Sequence, residues 1–172
     1  PKAAHDLAGQ HGAKVASIDE IMKAADVDAV LIGSPTGFHA EQIQAASNAG
    51  KAIMCEKPVS LSVAKIEETL KIVEKNKSTL MIGFNRRFDP SFAEVEKRIR
   101  RGDVGEIEMV TVISRDPSPP PAEYVKGSGG IFADMMIHDF DMARFLMGEE
   151  FVVVQALGAS LVDKAIGEAG DV

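Results

Sequence analysis

The sequence predicts an α/β fold, a doubly wound parallel sheet in the first half followed by part of an α+β open-sheet domain. Three observations carry that prediction. Short apolar runs at residues 27–32, 52–55 and 79–84 alternate with helix-length segments, the order that places parallel strands side by side through crossover helices. The run Val27-Asp-Ala-Val-Leu-Ile32 lacks clean polar–apolar alternation, as expected of a strand buried on both faces of a sheet. After Phe84 the character changes to a charged amphipathic segment, an alternating stretch and a proline run. The expected division is therefore 1–84 and 85–172.

Taken in order, residues 3–12 carry helical residue types, and 14–16 form a short strand candidate. Ser17-Ile-Asp-Glu20 is a capping-box pattern that opens a helix through Ala25. The strand at 27–32 stops at Gly33-Ser-Pro-Thr-Gly37, and a helix at 39–49 ends at Gly50. A strand at 52–55, a helix at 62–76 and a strand at 79–84 complete the first unit. In the second unit, 90–101 is a helix rich in Glu, Lys and Arg, whose charges read as a solvated face. Residues 106–114 alternate as a strand does, 116–121 form an extended proline-rich connection, and 151–158 read as a further strand.

Composition restricts what such a fold can serve. The chain has 172 residues, enough for one domain or two small half-domains, and 45% hydrophobic residues supply a substantial core. A net charge of −7 argues against nucleic acid and anionic membrane surfaces, which demand clustered cations; a small neutral or polar ligand is more compatible. No apolar run approaches the roughly 18 residues of a membrane helix, and no signal-peptide pattern opens the chain. The single cysteine, Cys55, excludes an internal disulfide framework, fits a reducing, cytoplasmic compartment and reads as a small buried residue. The opening at Pro1 and the ending Gly170-Asp-Val172 read as those of a segment cut from a longer polypeptide.

The stretch from Gly127 to Met147 carries the most chemistry. Glycines at 127, 129 and 130 precede one expected helix closed by Gly148. At 100° per residue, Asp134, His138, Asp141 and Phe145 share a narrow stripe, and apolar residues cover most of the remainder. A helix apolar on most sides is buried, so its carboxylates and imidazole must pair internally or line a cavity where acid–base chemistry can be tuned. A core helix whose His138 is satisfied by Asp134 one turn earlier fits the same pattern.

Ligands of doubly wound sheets gather at the carboxyl ends of the strands. Three loops fall there: 33–39, Glu56-Lys57-Pro58 and Asn85-Arg86-Arg87. Lys57 directly follows a strand and precedes a proline, so its ammonium is expected to emerge at the sheet edge.

Together these motifs acquire a further meaning. Gly33-Ser-Pro-Thr-Gly-Phe-His39, Glu56-Lys57-Pro58, Gly83-Phe-Asn-Arg-Arg-Phe-Asp-Pro90, Gly129-Gly130 and Asp134-x-x-x-His138-Asp-x-Asp141 occur in an order that resembles the Gfo/Idh/MocA oxidoreductases, most closely the inositol-oxidising branch. The resemblance implies a partial Rossmann-like domain followed by part of a substrate-binding and oligomerisation domain. It implies NAD-dependent oxidation of a secondary hydroxyl of a cyclitol, myo-inositol to 2-keto-inositol, with NADP still open.

By position, Lys57 resembles the family's active-site lysine, His138 its proton-accepting histidine and Asp134 the orienting partner of that histidine. Ser34, Pro35, Thr36, His39, Glu56 and Lys57 match cofactor-lining positions. Asn85, Arg87 and Asp141, with Lys57, Asp134 and His138, match positions around the substrate. A homotetramer acting on a small polyol or sugar is the implied assembly, with no metal. The family's Gly-x-Gly-x-x-Gly turn is absent from these residues, and Gly33-Ser-Pro-Thr-Gly37 cannot replace it, because the spacing differs and Pro35 removes a backbone donor.

Three alternatives share these residues: a dehydrogenase of a related pyranose, a non-catalytic sugar-binding module, and a metal site on Asp134, His138, Asp139 and Asp141. The last would require a broken helix, since Asp139 points away from the other three on the wheel.

Overall fold

The computed structural model describes residues 2–172. Its first half is built on three parallel strands, β1 (Ala29–Ile32), β2 (Ala52–Cys55) and β3 (Leu80–Ile82), in the spatial order β1-β2-β3. Helices α1 (Lys2–His11) and α2 (Ile18–Lys23) precede β1, α3 (His39–Asn48) crosses from β1 to β2, and α4 (Val63–Asn76) crosses from β2 to β3. The expected capping box is present: Ser17 Oγ accepts from Glu20 N–H, and the Glu20 carboxylate accepts from Ser17 N–H.

Side-chain direction alternates along a strand, and the register shows its consequence. Val30↔Ile53↔Leu80 and Ile32↔Cys55↔Ile82 are cross-strand rows in the core completed by Ile43 and Ala46 of α3 and Val73 of α4. The intervening row, Leu31↔Met54↔Met81, lies on the opposite face, and all three side chains are exposed. The expectation of burial on both faces is thus corrected, because α3 and α4 pack together and cover the same side. Buried Lys51 ties the sheet to α2, its ammonium donating to the carbonyls of Ala24 and Val27 at 2.9 and 2.7 Å.

A short 3-10 turn (Asn85–Phe88) leads into α5 (Pro90–Arg100), where Asp89 caps the first turn by accepting from Ser91 and Phe92 N–H. Three helices follow: α6 (Ala122–Ser128), α7 (Ile137–Met147) and α8 (Lys164–Glu168). Gly148 closes α7 at φ +73°, and a Cβ there would come within 2.8 Å of Arg100, whose guanidinium donates to Phe145 O.

The strands expected at 14–16, 106–114 and 151–158 do not form. A strand needs a partner ladder, and among the described residues no backbone–backbone hydrogen bond joins 106–120 or 149–162 to another segment. Met109, Ile113, Val152 and Val154 are accordingly exposed.

Ile43 is wholly buried in the core under the sheet, so Ile43→Ala should destabilise the protein by about 2–5 kcal/mol. Equilibrium denaturant unfolding would measure the loss.

Candidate active site

The carboxyl ends of β1, β2 and β3 deliver the three expected loops to one side of the molecule. Ser34, Pro35 and Thr36 follow β1, and Glu56 and Lys57 follow β2. Together with Glu123, Tyr124, Ser128 and Asp134 from the second half, they line a cleft of about 500 Å³. The Lys57–Pro58 peptide bond is cis.

Lys57 is the pivot of this cleft. Its ammonium donates to Asp134 O at 2.7 Å and to Asp134 Oδ1 at 2.8 Å, and the two side chains are only 16% and 25% exposed. An ammonium carries three N–H donors, so these bonds leave one for a ligand. Tyr124 Oη donates to the other carboxylate oxygen, Asp134 Oδ2, at 2.9 Å. Partial burial, and then the bond to Asp134, raise the Tyr124 phenol above its ordinary value.

The role expected of Asp134 as the orienting partner of His138 is corrected. The continuous helix drawn across both residues is interrupted: Gly129 and Gly130 take φ +87° and +72°, and 131–135 form a π turn in which Met136 N–H donates to Ile131 O at 2.7 Å. A π turn adds a residue to the helical repeat and is frequent at functional sites. Asp134 therefore loses the one-turn register with His138 and turns to Lys57. Gly130 also permits a close approach, since a Cβ there would lie 2.6 Å from Asp171 Oδ1, whose carboxylate accepts from Ile131 N–H.

His138 is left half-buried with Nδ1 enclosed and without a hydrogen-bond partner among the described residues. Burial, then the positive charges of Lys57 and Arg86, lower its pKa below the ordinary 6.5, against weaker opposition from Asp139 and Asp134. The imidazole is thereby biased to its neutral form, with a free nitrogen.

Other expected site residues sit differently. Asp141 is buried, and both its oxygens are taken by Arg87, Nε to Oδ2 at 2.8 Å and Nη2 to Oδ1 at 2.5 Å. The Arg87 guanidinium also lies 5.1 Å from the centroid of the Phe145 ring. This fork-to-fork pair packs α7 onto the 85–88 turn. Asn85 is exposed in the same turn and lies outside the residues that line the cleft.

His39 is buried, its ring nitrogens facing Pro58 O at 2.8 Å and Ser34 O at 2.6 Å. It therefore ties two walls of the cleft together and is itself one of the residues that line it. Glu56 is exposed at the rim and packs on Gly83, where a Cβ would stand 3.1 Å from each carboxylate oxygen. The Cys55 thiol is buried and pushed up to about 11 by desolvation and the Glu56 charge, the state of an unreactive core residue.

Three residues given no role from sequence, Arg86, Ser114 and Tyr124, support the site. Arg86 and Ser114 both bond Asp139 Oδ1, fixing the first turn of α7, and Tyr124 binds Asp134. The metal arrangement does not assemble even though the helix is broken, because Asp134, Asp139 and Asp141 each face a cation. Among the described residues no group of three or more His, Cys, Asp or Glu is arranged to hold an ion.

Comparison with known proteins places this geometry in a wider set. Residues 1–84 match the model "Oxidoreductase family, NAD-binding Rossmann fold", and 92–172 match "GFO/IDH/MocA C-terminal domain". An inositol 2-dehydrogenase of Rhizobium meliloti (strain 1021) is 58% identical over 171 residues, covering 99% of this chain and 52% of the relative. A myo-inositol dehydrogenase structure from Corynebacterium glutamicum superposes with TM-score 0.90 at 42% identity, over 99% of this chain and 51% of that one. The scyllo-inositol dehydrogenase of Lactobacillus casei with bound NAD(H) and scyllo-inositol gives TM-score 0.88 at 35% identity, over 99% and 53%. The chain thus spans about half the length of the relatives it matches.

The lowered pKa of His138 has a consequence for stability. Below pH 6.5 the unfolded chain takes up a proton that the folded site resists, so the histidine's contribution is full above 6.5 and is lost as pH falls toward the depressed value. The difference in unfolding free energy between wild type and His138→Gln should therefore be flat from pH 7 to 8 and shrink below 6.5. Denaturant midpoints across that range would show it.

Proposed function

Because the chain belongs to the Gfo/Idh/MocA oxidoreductase family, we propose that it forms the catalytic segment of an NAD-dependent dehydrogenase that oxidises a secondary hydroxyl of a cyclitol, myo-inositol becoming 2-keto-inositol. The observation that carries this reading is the Lys57 ammonium, fixed twice by Asp134 with one N–H left over, close enough to depress the neighbouring histidine.

Each residue has a distinct task. His138, held deprotonated by burial and adjacent cations, takes the hydroxyl proton as a general base. Lys57 aims its remaining N–H at the same oxygen and stabilises the negative charge that develops there. Asp134 holds Lys57 in place. Ser34, Pro35, Thr36 and Glu56 form the wall of a cleft large enough and polar enough for the nicotinamide end of a dinucleotide. NAD, when bound, supplies the hydride acceptor. The residues present fit that end of the cofactor, and its pyrophosphate is assigned to no residue of this chain.

The single buried cysteine supports a cytoplasmic setting. No helix among the described residues is long and apolar enough to cross a membrane. The exposed apolar stretches at 106–114 and 151–158 offer strand-length surface for the homotetramer that the family resemblance implies.

Reduced-nicotinamide formation by the full-length gene product, with NAD and NADP tested separately against myo-inositol, scyllo-inositol, glucose and xylose, tests the reading. Turnover with an inositol is expected; turnover only with glucose or xylose would move the substrate to a pyranose. Silence with every pairing from folded protein would replace the enzyme with a sugar-binding module. Lys57→Ala and His138→Ala should each lower kcat by roughly 10²–10⁴-fold in protein that remains folded. Wild-type rates in either variant would remove these roles.

A further inference from the structure

Asp134 has more bonds to satisfy than Lys57 supplies. Lys57 occupies its backbone carbonyl and Oδ1, and Oδ2 would be left to solvent but for Tyr124. A carboxylate bound through one oxygen can swing about its side-chain torsions, and an ammonium that follows it loses its aim. A carboxylate bound at both oxygens, by donors from two different elements, cannot.

Tyr124 is well placed for this. It lies in the first turns of α6, a helix not expected from sequence, whose Val125 and Ser128 are buried. Its phenol therefore reaches Asp134 from a packed element instead of a loose loop. The ring lies on the border between the cleft that holds Lys57 and a second cavity of about 710 Å³ lined by the proline run and Met135.

We infer that Tyr124 is a positioning residue of the reaction: its hydroxyl locks the Asp134 carboxylate so that Asp134 in turn points the free N–H of Lys57 at the substrate oxygen. The inference rests on the catalytic reading of Lys57 given above. Tyr124 need not touch substrate, and its effect passes through Asp134.

Tyr124→Phe in the full-length protein removes only the hydroxyl. A hydrogen bond to a charged group is worth about one to two powers of ten. The variant should therefore lose roughly tenfold in kcat while keeping KM for NAD and the thermal midpoint. The primary deuterium isotope effect with carbon-deuterated cyclitol should rise, because a misaimed ammonium slows the chemical step itself. A second readout is independent of turnover. The ultraviolet difference spectrum between wild type and Tyr124→Phe isolates the ionisation of this phenol, whose midpoint should lie above that of an ordinary tyrosine and move down in Asp134→Asn.

Wild-type kcat and isotope effect in Tyr124→Phe would overturn the inference. So would a phenol ionisation indifferent to Asp134→Asn, or a loss of rate matched by a lowered thermal midpoint. Lys57→Ala, assayed alongside, separates the two levels. An inactive Lys57→Ala with an unaffected Tyr124→Phe refutes the role of Tyr124 alone, and an active Lys57→Ala refutes the catalytic reading and this inference with it.

Discussion

Lys57 and Asp134 stand 77 residues apart in sequence and meet as a partly buried ion pair. The rest of the site depends on that contact. The lysine belongs to the edge of the parallel sheet, and the aspartate to the π turn that precedes α7. Neither half alone presents an oriented ammonium beside a neutral imidazole. Water would compete strongly with an exposed pair, so shielding by the cleft walls and by Tyr124 is part of what keeps the geometry.

Charge is distributed around the pair with some consistency. Arg86 and Arg87, adjacent in the turn after β3, each take one carboxylate of α7, Asp139 and Asp141. Those bonds fix the helix that carries His138. The cations Lys57 and Arg86, with burial ahead of both, then bias the histidine toward its proton-accepting form. Paired acids and a histidine whose pKa is lowered thus share one helix, with Arg86 acting on both.

Much of the sheet was legible in the sequence, because the apolar runs, Gly50 and the Ser17 capping box are local signals with local causes. The position of Lys57 in a loop at a strand's carboxyl end was legible too, because it directly follows an apolar run and precedes a proline. What was not legible has physical reasons. A helical wheel assumes 3.6 residues per turn and cannot foresee the π turn at 131–135, which separates Asp134 from His138. The partners of Asp139, Asp141 and His39 are distant in sequence, so spacing could not show that these groups are spent on one another and on backbone carbonyls. Tyr124 lay behind a proline run that reads as irregular, with a seven-residue helix hidden after it. The alternating stretches at 106–114 and 151–158 carry a strand pattern, but a pattern becomes a strand only when another strand bonds to it.

In the proposed function Asp134 acts on the reaction through Lys57. A double-mutant cycle of Lys57→Met and Asp134→Asn, read as kcat/KM of the full-length protein with an inositol, tests it most directly. If Asp134 works only by holding the ammonium, its replacement should matter in the wild-type background and cost almost nothing once Lys57 is gone. Losses that multiply independently in the double variant would contradict the claim, because Asp134 would then contribute by a route that does not involve Lys57.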